Sequence, residues 1–170
     1  MTELFVADDI RVLSNGKLMH TGHVHKGDGI MATSLYDRLG GVDAITVVVR
    51  DFEDRAAKDD RINQKFARTD LARLTKEFVD QVCEATGGPC NYTGLSMKKA
   101  HKNMGVTEGE FDAFMEDLVA TLEKFNVEKA EQNEILSFLR GFQGEIVEVN
   151  SSQVGTALPP TFEPAPALAS

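Results

Sequence analysis

The chain between Ser34 and Val149 carries its apolar residues at helical spacing. Ile45, Val48, Val49 and Phe52 are three, one and three residues apart, which gives one apolar stripe at the 3.6-residue period and not strand alternation. The same spacing recurs in three later sets: Leu71, Leu74, Phe78 and Val82; Phe111, Phe114, Met115, Leu118 and Leu122; Ile135, Leu136, Phe138, Leu139 and Phe142. The pattern predicts an all-α domain with long helices over 42–57, 70–86, 107–125 and 129–148.

Capping residues indicate where these helices begin and end. Ser34 can cap a short first helix, which the paired glycines Gly40 and Gly41 end. Thr69 or Asp70 can cap the third helix, and Thr107 with Glu110 forms a capping box before the fourth. We expect a turn that ends at Phe66 after the second helix, and one or two helical turns from Met97 to His101. The last helix is expected to break or fray near Gly141 and Gly144.

The two ends differ from this helical domain, assigned to residues 34–149. Asn15-Gly16 between short apolar runs predicts a hairpin in residues 1–33. Because a lone hairpin is only marginally stable in water, this extension is expected to be a hairpin or disordered. Residues 1–30 are an accessory segment or sequence upstream of the natural start. Residues 150–170 are rich in proline and alanine, which predicts a disordered tail.

Charge and hydropathy exclude several classes of protein. With 18 basic and 27 acidic residues the net charge is -9, so we expect no nucleic-acid partner. No run approaches 18 apolar residues and the acidic beginning does not resemble a signal peptide, so we expect no membrane association and a cytoplasmic location.

The two cysteines and the acidic run have simple structural interpretations. We expect the Cys83 and Cys90 thiols to be reduced, with Cys83 as a small core residue. A run of acidic residues is interpreted as a solvated helix face that suits the N-terminal helix dipole: Glu108, Glu110, Asp112, Glu116 and Asp117.

The histidines indicate which kinds of metal or cofactor site the chain could form. His20, His23 and His25 could hold a metal, but a solvated linker without a fourth ligand is favoured. His101 is the only histidine between Ser34 and Val149, and no cysteine and carboxylate cluster accompanies it. A lone histidine facing a cavity of phenylalanines suits an axial ligand of haem iron, while a surface or core histidine is the commoner alternative.

A series of motifs in order gives the chain a family resemblance. The motifs are Ser34-Leu-Tyr-Asp-Arg-Leu-Gly-Gly41, Ala44-Ile45, Asp51-Phe52, Phe66, Gly87-Gly-Pro89, Tyr92-Thr-Gly94, Met97-Lys-Lys-Ala-His101 and Gly105-Val-Thr107. Over residues 34–149 the chain resembles a truncated haemoglobin of group I. The resemblance implies a two-over-two helical sandwich, in which 42–57 and 70–86 face 107–125 and 129–148, and a haem b. The haem is expected to be non-covalent, since no Cys-x-x-Cys-His site exists.

The resemblance assigns residues to the haem site. It makes His101 the proximal iron ligand, with its other ring nitrogen donating to a backbone carbonyl. Phe66 packs on the macrocycle, and Tyr92 reaches a propionate or caps its local turn. The proximal wall comprises Met97, Val106, Phe111 and Phe114, and possible propionate partners, or else solvated cations, are Lys76, Lys98, Lys99 and Lys102.

The distal side departs from the family pattern. Glu53 follows Phe52 where a tyrosine is usual, and Leu74 and Phe78 stand where a polar residue is frequent, which leaves Gln81 as the remaining amide. An ionised carboxylate only accepts hydrogen bonds, whereas a protonated one could donate to a ligand as the tyrosine does. The resemblance therefore implies haem binding and leaves the distal chemistry open.

The function implied is reversible binding or transport of dioxygen or another diatomic gas: dioxygen, nitric oxide or carbon monoxide. One alternative is a haem enzyme, for nitric oxide dioxygenation or for peroxide chemistry through distal Glu53, which would draw electrons from a separate reductase. A further alternative is a haem-based sensor that uses residues 1–33 to bind a partner.

Overall fold

The computed structural model describes residues 10–12, 18–20 and 33–165. The first two segments are the strands β1, Ile10–Val12, and β2, Leu18–His20, which pair antiparallel with Ile10 opposite His20 and Val12 opposite Leu18. The expected Asn15-Gly16 turn and the metal site considered at His23 and His25 lie outside the described residues. Between residues 33 and 165 the regular structure is helical, apart from one isolated bridge between Thr107 and Val149.

Four longer helices form the body of the fold. They are α2, Gly41–Ala56; α3, Leu71–Ala85; α5, Glu108–Lys124; and α6, Lys129–Arg140. Short helices are α1, Leu35–Arg38; α4, Met97–Ala100; and α7, Gln143–Ile146, with a 3-10 turn over Asn63–Phe66. Packing of α2 on α3 and α5, and of α5 on α6, gives the two-over-two sandwich. The all-α prediction for the domain is confirmed.

The predicted caps explain the helix boundaries. Ser34 Oγ accepts the Asp37 N–H, and the Asp70 carboxylate accepts the Arg73 N–H. The Thr107 hydroxyl accepts the Glu110 N–H, and the Glu110 carboxylate accepts the Thr107 N–H, as a capping box requires. The last predicted helix, 129–148, is interrupted near Gly141 as expected: α6 ends at Arg140 and α7 begins at Gln143.

The core is formed by phenylalanines and aliphatic residues from the long helices. Phe52 is 2% exposed and makes edge-to-face contacts with Phe78 and Phe114, with ring centroids 5.8 and 4.8 Å apart. A second cluster between α2 and α3 contains Ile45, Val79 and Cys83. None of the helices in the described ranges is long and apolar enough to cross a membrane.

Cys83 and Cys90 form a disulfide, which corrects the expected reduced pair. The corner after α3 brings the two Cα atoms to 5.7 Å, within bonding reach, although seven positions separate them in the sequence. Cys83 is fully buried, as a core residue should be. The bond ties the end of α3 to the loop that precedes α4.

The segment after α7 also differs from expectation. Residues 150–165 contain no helix or strand, yet they pack on the domain: Phe162 is 5% exposed, and Thr156 hydrogen-bonds to Glu110. One aromatic side chain and several hydrogen bonds to buried groups order a segment whose composition alone predicts disorder.

The acidic face of α5 is only partly solvated. Asp112 and Glu116 are exposed, but Glu110 and Asp117 are 2% and 7% exposed. These two residues are seven positions apart, so they share the helix face that packs on the rest of the molecule. The expectation of a wholly solvated face is corrected for both.

Candidate functional site

An apolar cavity lies between the two layers of the sandwich. Its aromatic lining comes from six phenylalanines and a tyrosine: Phe52, Phe66, Phe78, Phe111, Phe114, Phe142 and Tyr92. Apart from the lysines considered as propionate partners, the residues assigned to the haem site from the sequence line this cavity, including Glu53, Leu74, Met97, His101 and Val106. The helices α2, α3 and α5 and the segment from Tyr92 to Val106 thus place residues from distant parts of the chain around one space.

His101 is held with one ring nitrogen available. The residue caps α4 and its Nδ1 lies 2.9 Å from the carbonyl oxygen of Met97. Because a carbonyl can only accept, Nδ1 carries the proton in this bond and Nε2 keeps its lone pair. Burial lowers the pKa of His101, which favours the neutral imidazole that a metal requires.

The residues present fit a haem. In the described part of the chain no cluster of three or more His, Cys, Asp or Glu could hold a bare metal ion. A porphyrin supplies four ligands itself, so a single histidine in an apolar, aromatic cavity is the donor set that haem iron needs. His101 would supply the axial nitrogen, and the phenylalanines would pack on the macrocycle.

Glu53 is the polar group of the cavity wall on α2. Its Oε2 accepts a hydrogen bond from the Thr75 hydroxyl on α3 at 2.5 Å, and its Oε1 is buried without a hydrogen-bond partner in the structure. Burial raises the pKa of Glu53, while the Thr75 bond and the charge of Arg50 act in the opposite direction. A carboxyl group with one free oxygen and a raised pKa can hold a proton at this wall.

The other polar residues that were predicted for the haem site lie partly in the cavity and partly on the surface. The Tyr92 hydroxyl donates to the Leu95 carbonyl at 2.6 Å, so it caps its local turn, the alternative considered beside propionate binding. Gln81 lines the cavity, whereas Lys76 pairs with Asp80 at 2.6 Å on the surface. Lys98, Lys99 and Lys102 are exposed.

Sequence reasoning missed several residues of the cavity. They include Ile62, Lys65, Glu77, Ala100, Met104, Glu110, Leu139 and Ile146. Lys65 and Glu110 form an ion pair whose side chains are 6% and 1% exposed, with 3.4 Å between Nζ and Oε2. The capping box predicts that the Glu110 carboxylate points back to the Thr107 N–H. No local pattern indicates that Lys65 is buried.

Comparison with known proteins identifies the family. The profile of the bacterial-like globin family matches residues 34–148, and the chain belongs to that family. Within it the chain is a group 1 truncated haemoglobin, a haem-binding globin. It is 37% identical over 101 residues to the group 1 truncated haemoglobin of Tetrahymena pyriformis, covering 59% of this chain and 84% of that protein. It is 38% identical over 99 residues to that of Synechocystis, covering 56% and 80%.

Solved structures agree with this assignment. The Fe(III) form of the Tetrahymena pyriformis truncated haemoglobin superimposes with a TM-score of 0.64 at 32% identity, covering 68% of this chain and 98% of that one. The cyanomet 2/2 haemoglobin of Synechococcus, which has a covalently attached haem, gives a TM-score of 0.65 at 31% identity, covering 69% and 100%. The cofactor of this chain is accordingly haem b.

Proposed function

We propose that this chain binds dioxygen, nitric oxide or carbon monoxide reversibly at a haem iron held by His101, in oxygen binding or transport. The observation that supports this most directly is the His101 ring, whose Nδ1 donates to Met97 while Nε2 remains available in the cavity. The haem supplies the iron at which a diatomic gas coordinates. His101 Nε2 would bind the haem iron, and the apolar lining would exclude water from the cavity.

Site assignments are part of the same proposal. Phe52, Leu74 and Phe78 shape the distal space together with Glu53, and the proximal side is formed by Met97, Val106 and Phe111. Phe66 and Tyr92 complete the rim. Residues 34–149 are proposed as the haem-binding unit, since the family match covers 34–148.

Rapid mixing of the ferrous protein with dioxygen and with carbon monoxide tests the gas-binding role. We expect reversible, saturable spectral changes with both gases and measurable dissociation when the ligand is displaced. A ferrous protein that oxidises at once without a reversible phase would contradict oxygen transport.

A second candidate is peroxide reduction, favoured by the buried, unpartnered Oε1 of Glu53. A carboxylate can accept the proton of one peroxide oxygen and then, as the carboxylic acid, donate it to the other oxygen as the O–O bond breaks. The complete reaction consumes hydrogen peroxide, two protons and two electrons and gives two waters. The electrons would come from a separate reductase protein.

The variant Glu53→Gln separates the two candidates, with Glu84→Gln, at an exposed position near the end of α3, as its control. Peroxide turnover that falls about 100-fold only in Glu53→Gln supports acid–base catalysis, since general acid–base groups contribute on this scale. Equal turnover in wild type and Glu53→Gln would leave reversible gas binding as the function.

A cytoplasmic location is also proposed. Thiol reductants of the cytosol act against the Cys83–Cys90 bond that the structure shows, so the redox state of this pair in cells tests the location. Alkylation of free thiols in a rapidly acidified cell extract measures this, and a fully oxidised pair would contradict the location.

A further inference from the structure

The segment after α7 backs the proximal wall of the cavity. We define residues 149–162 as the C-terminal strap, which lies beyond the family match at residue 148. Phe162 of the strap forms a buried cluster with Met104 and Val106, and Ile146 packs against it. Met104, Val106 and Ile146 also line the haem cavity, so the strap supports the wall from behind.

The globin body accommodates the strap at a specific glycine. A Cβ atom built on Gly109, in the first turn of α5, would lie 2.4 Å from the backbone oxygen of Ser152. Backbone hydrogen bonds follow the same path, since the Glu108 N–H donates to Val149 at 3.3 Å and the Gly109 N–H donates to Ser151 at 3.1 Å. The path of the strap therefore depends on a residue inside the domain.

Lys65 joins the strap to the turn that follows His101. Its Nζ donates to the carbonyls of Met104 and Gly105 at 3.0 and 3.2 Å, and to the Thr156 hydroxyl of the strap at 2.8 Å. These contacts use the three ammonium hydrogens, and Glu110 supplies the balancing charge. Lys65 is thus committed to the backbone of this turn and not to a gas ligand.

Glu110 completes the connection between the strap and α5. Its Oε1 accepts both the N–H and the hydroxyl of Thr156, at 2.8 and 2.6 Å. Its Oε2 accepts the Thr107 N–H at 3.0 Å. Thr156 therefore contacts both members of the buried ion pair.

The opposite side of the same turn is held by an anion. The Glu148 carboxylate accepts the N–H groups of Asn103 and Gly105 at 2.8 and 2.7 Å. The turn begins at His101, whose carbonyl accepts the Met104 N–H at 3.1 Å. A cation on its carbonyls and an anion on its N–H groups fix this turn immediately after the iron ligand.

We propose that Lys65 and the C-terminal strap, through Thr156, are positioning elements that set the orientation of His101 toward the haem iron. The proposal rests on the proposed binding of haem iron by His101. Groups that orient a metal ligand from outside its coordination sphere control the strength of the metal bond. Here the connection runs from Thr156 to Lys65, to the carbonyls of residues 104 and 105, and to the backbone of His101.

The test uses the full-length, haem-loaded protein and two matched pairs of variants. Thr156→Val removes the hydroxyl of the strap, and Thr161→Val, at an exposed position of the same strap, is its control. Lys65→Met removes the ammonium group, and Lys58→Met, at an exposed position after α2, is its control. The readouts are the iron–histidine stretching band of the ferrous protein by resonance Raman and the rate of haem transfer to an excess of apomyoglobin.

We expect Thr156→Val and Lys65→Met to shift or broaden the iron–histidine band and to speed haem transfer about tenfold, while both controls match wild type. An unchanged band in Thr156→Val would overturn the proposal, even if the protein were less stable, because stability alone does not move this band. Thr156→Val decides the matter if Lys65→Met does not fold. A wild-type protein without an iron–histidine band would refute the proposed function as well, which distinguishes that failure from a failure of positioning alone.

Discussion

At the scale of single residues, Glu53 is the carboxyl group of the cavity wall on α2, with one buried oxygen that has no hydrogen-bond partner among the described residues. The charged and polar groups around it are Arg50 and Asp54 on its own helix, and Thr75 and Glu77 on α3. Burial is the largest influence and raises the pKa of Glu53, so the protonated form persists to higher pH than for a free glutamic acid. Only this form can donate a hydrogen bond to a ligand in the cavity.

The rate of dioxygen dissociation from the ferrous protein is therefore expected to depend on pH. As the pH falls through the raised pKa, Glu53 gains a proton, donates to the ligand and slows dissociation. As the pH rises, the carboxylate can only accept and dissociation becomes faster. Stopped-flow displacement of dioxygen by carbon monoxide across this range measures the effect. A profile in Glu53→Gln identical to that of wild type would assign the pH dependence to another group.

The Thr75 hydroxyl stabilises the ionised form of Glu53 through their short hydrogen bond. Thr75→Val removes this bond with little change in shape, so we expect the pKa of Glu53 to rise further and the midpoint of the dissociation profile to move to higher pH. Thr46→Val, on the exposed side of α2, is the matched control. A midpoint that moves to lower pH would contradict the assigned role of the hydroxyl.

At the scale of elements, the disulfide and the strap are the two connections that hold segments without regular structure. Cys83 lies in the last turns of α3, and Cys90 begins the loop that leads to α4 and His101. A cross-link of this kind limits the conformations of the unfolded chain.

Reduction of the disulfide is expected to lower the free energy of unfolding by about 2 kcal/mol, or to lower Tm by about 4 to 8 °C, as a short cross-linked loop implies. Thermal unfolding with and without a dithiol reductant measures the difference. The Cys83→Ala/Cys90→Ala double variant should not respond to the reductant, and an equal response there would show that the disulfide is not its cause.

A matched pair of glycine substitutions tests the path of the strap. Gly109→Ala forces a Cβ against the backbone of Ser152 and is expected to cost about 1–3 kcal/mol of stability. Gly144→Ala in α7 meets nothing within 4 Å and is expected to be neutral or to stabilise by about 0.5 kcal/mol. Chemical denaturation of both variants measures this, and equal stabilities would contradict the close approach of the strap.

The elements could be predicted from the sequence because their causes are local. The apolar period and the caps at Ser34, Asp70 and Thr107 required only neighbouring residues. The contacts that were missed are tertiary. Burial of Glu110 depends on Thr156, which lies 46 positions later, and the disulfide depends on the backbone path around the Gly87-Gly88 corner.

In the candidate site, too, the sequence predicts the residues that belong to recognisable motifs and misses those that depend on tertiary contacts. His101, Glu53 and the phenylalanines were placed in the cavity through motifs whose order resembles a known family. Lys65 could not be found in this way, since a lone lysine near Phe66 has no pattern that distinguishes a buried ammonium from a solvated one. Only the carbonyls of Met104 and Gly105 and the carboxylate of Glu110, assembled by the fold, make its burial favourable.

At the scale of the whole molecule, the helices of the globin sandwich surround the cavity. The disulfide and the strap hold the segments before and after His101. Both segments that adjoin His101 are held: the loop before α4 by the Cys83–Cys90 bond, and the turn after it by Lys65 and Glu148. In the proposed function, His101 is the axial ligand of a haem bound in this cavity.

The visible absorption spectrum of the haem-loaded protein tests this ligation. It is recorded for the ferric, ferrous and ferrous carbon monoxide forms, with His101→Ala beside wild type. We expect a sharp Soret band that shifts with oxidation state and ligand in wild type, and a changed or lost band in His101→Ala. Addition of imidazole should restore part of the wild-type spectrum to the variant. Identical spectra of wild type and His101→Ala, or a wild type that retains no haem, would contradict the binding of haem iron by His101.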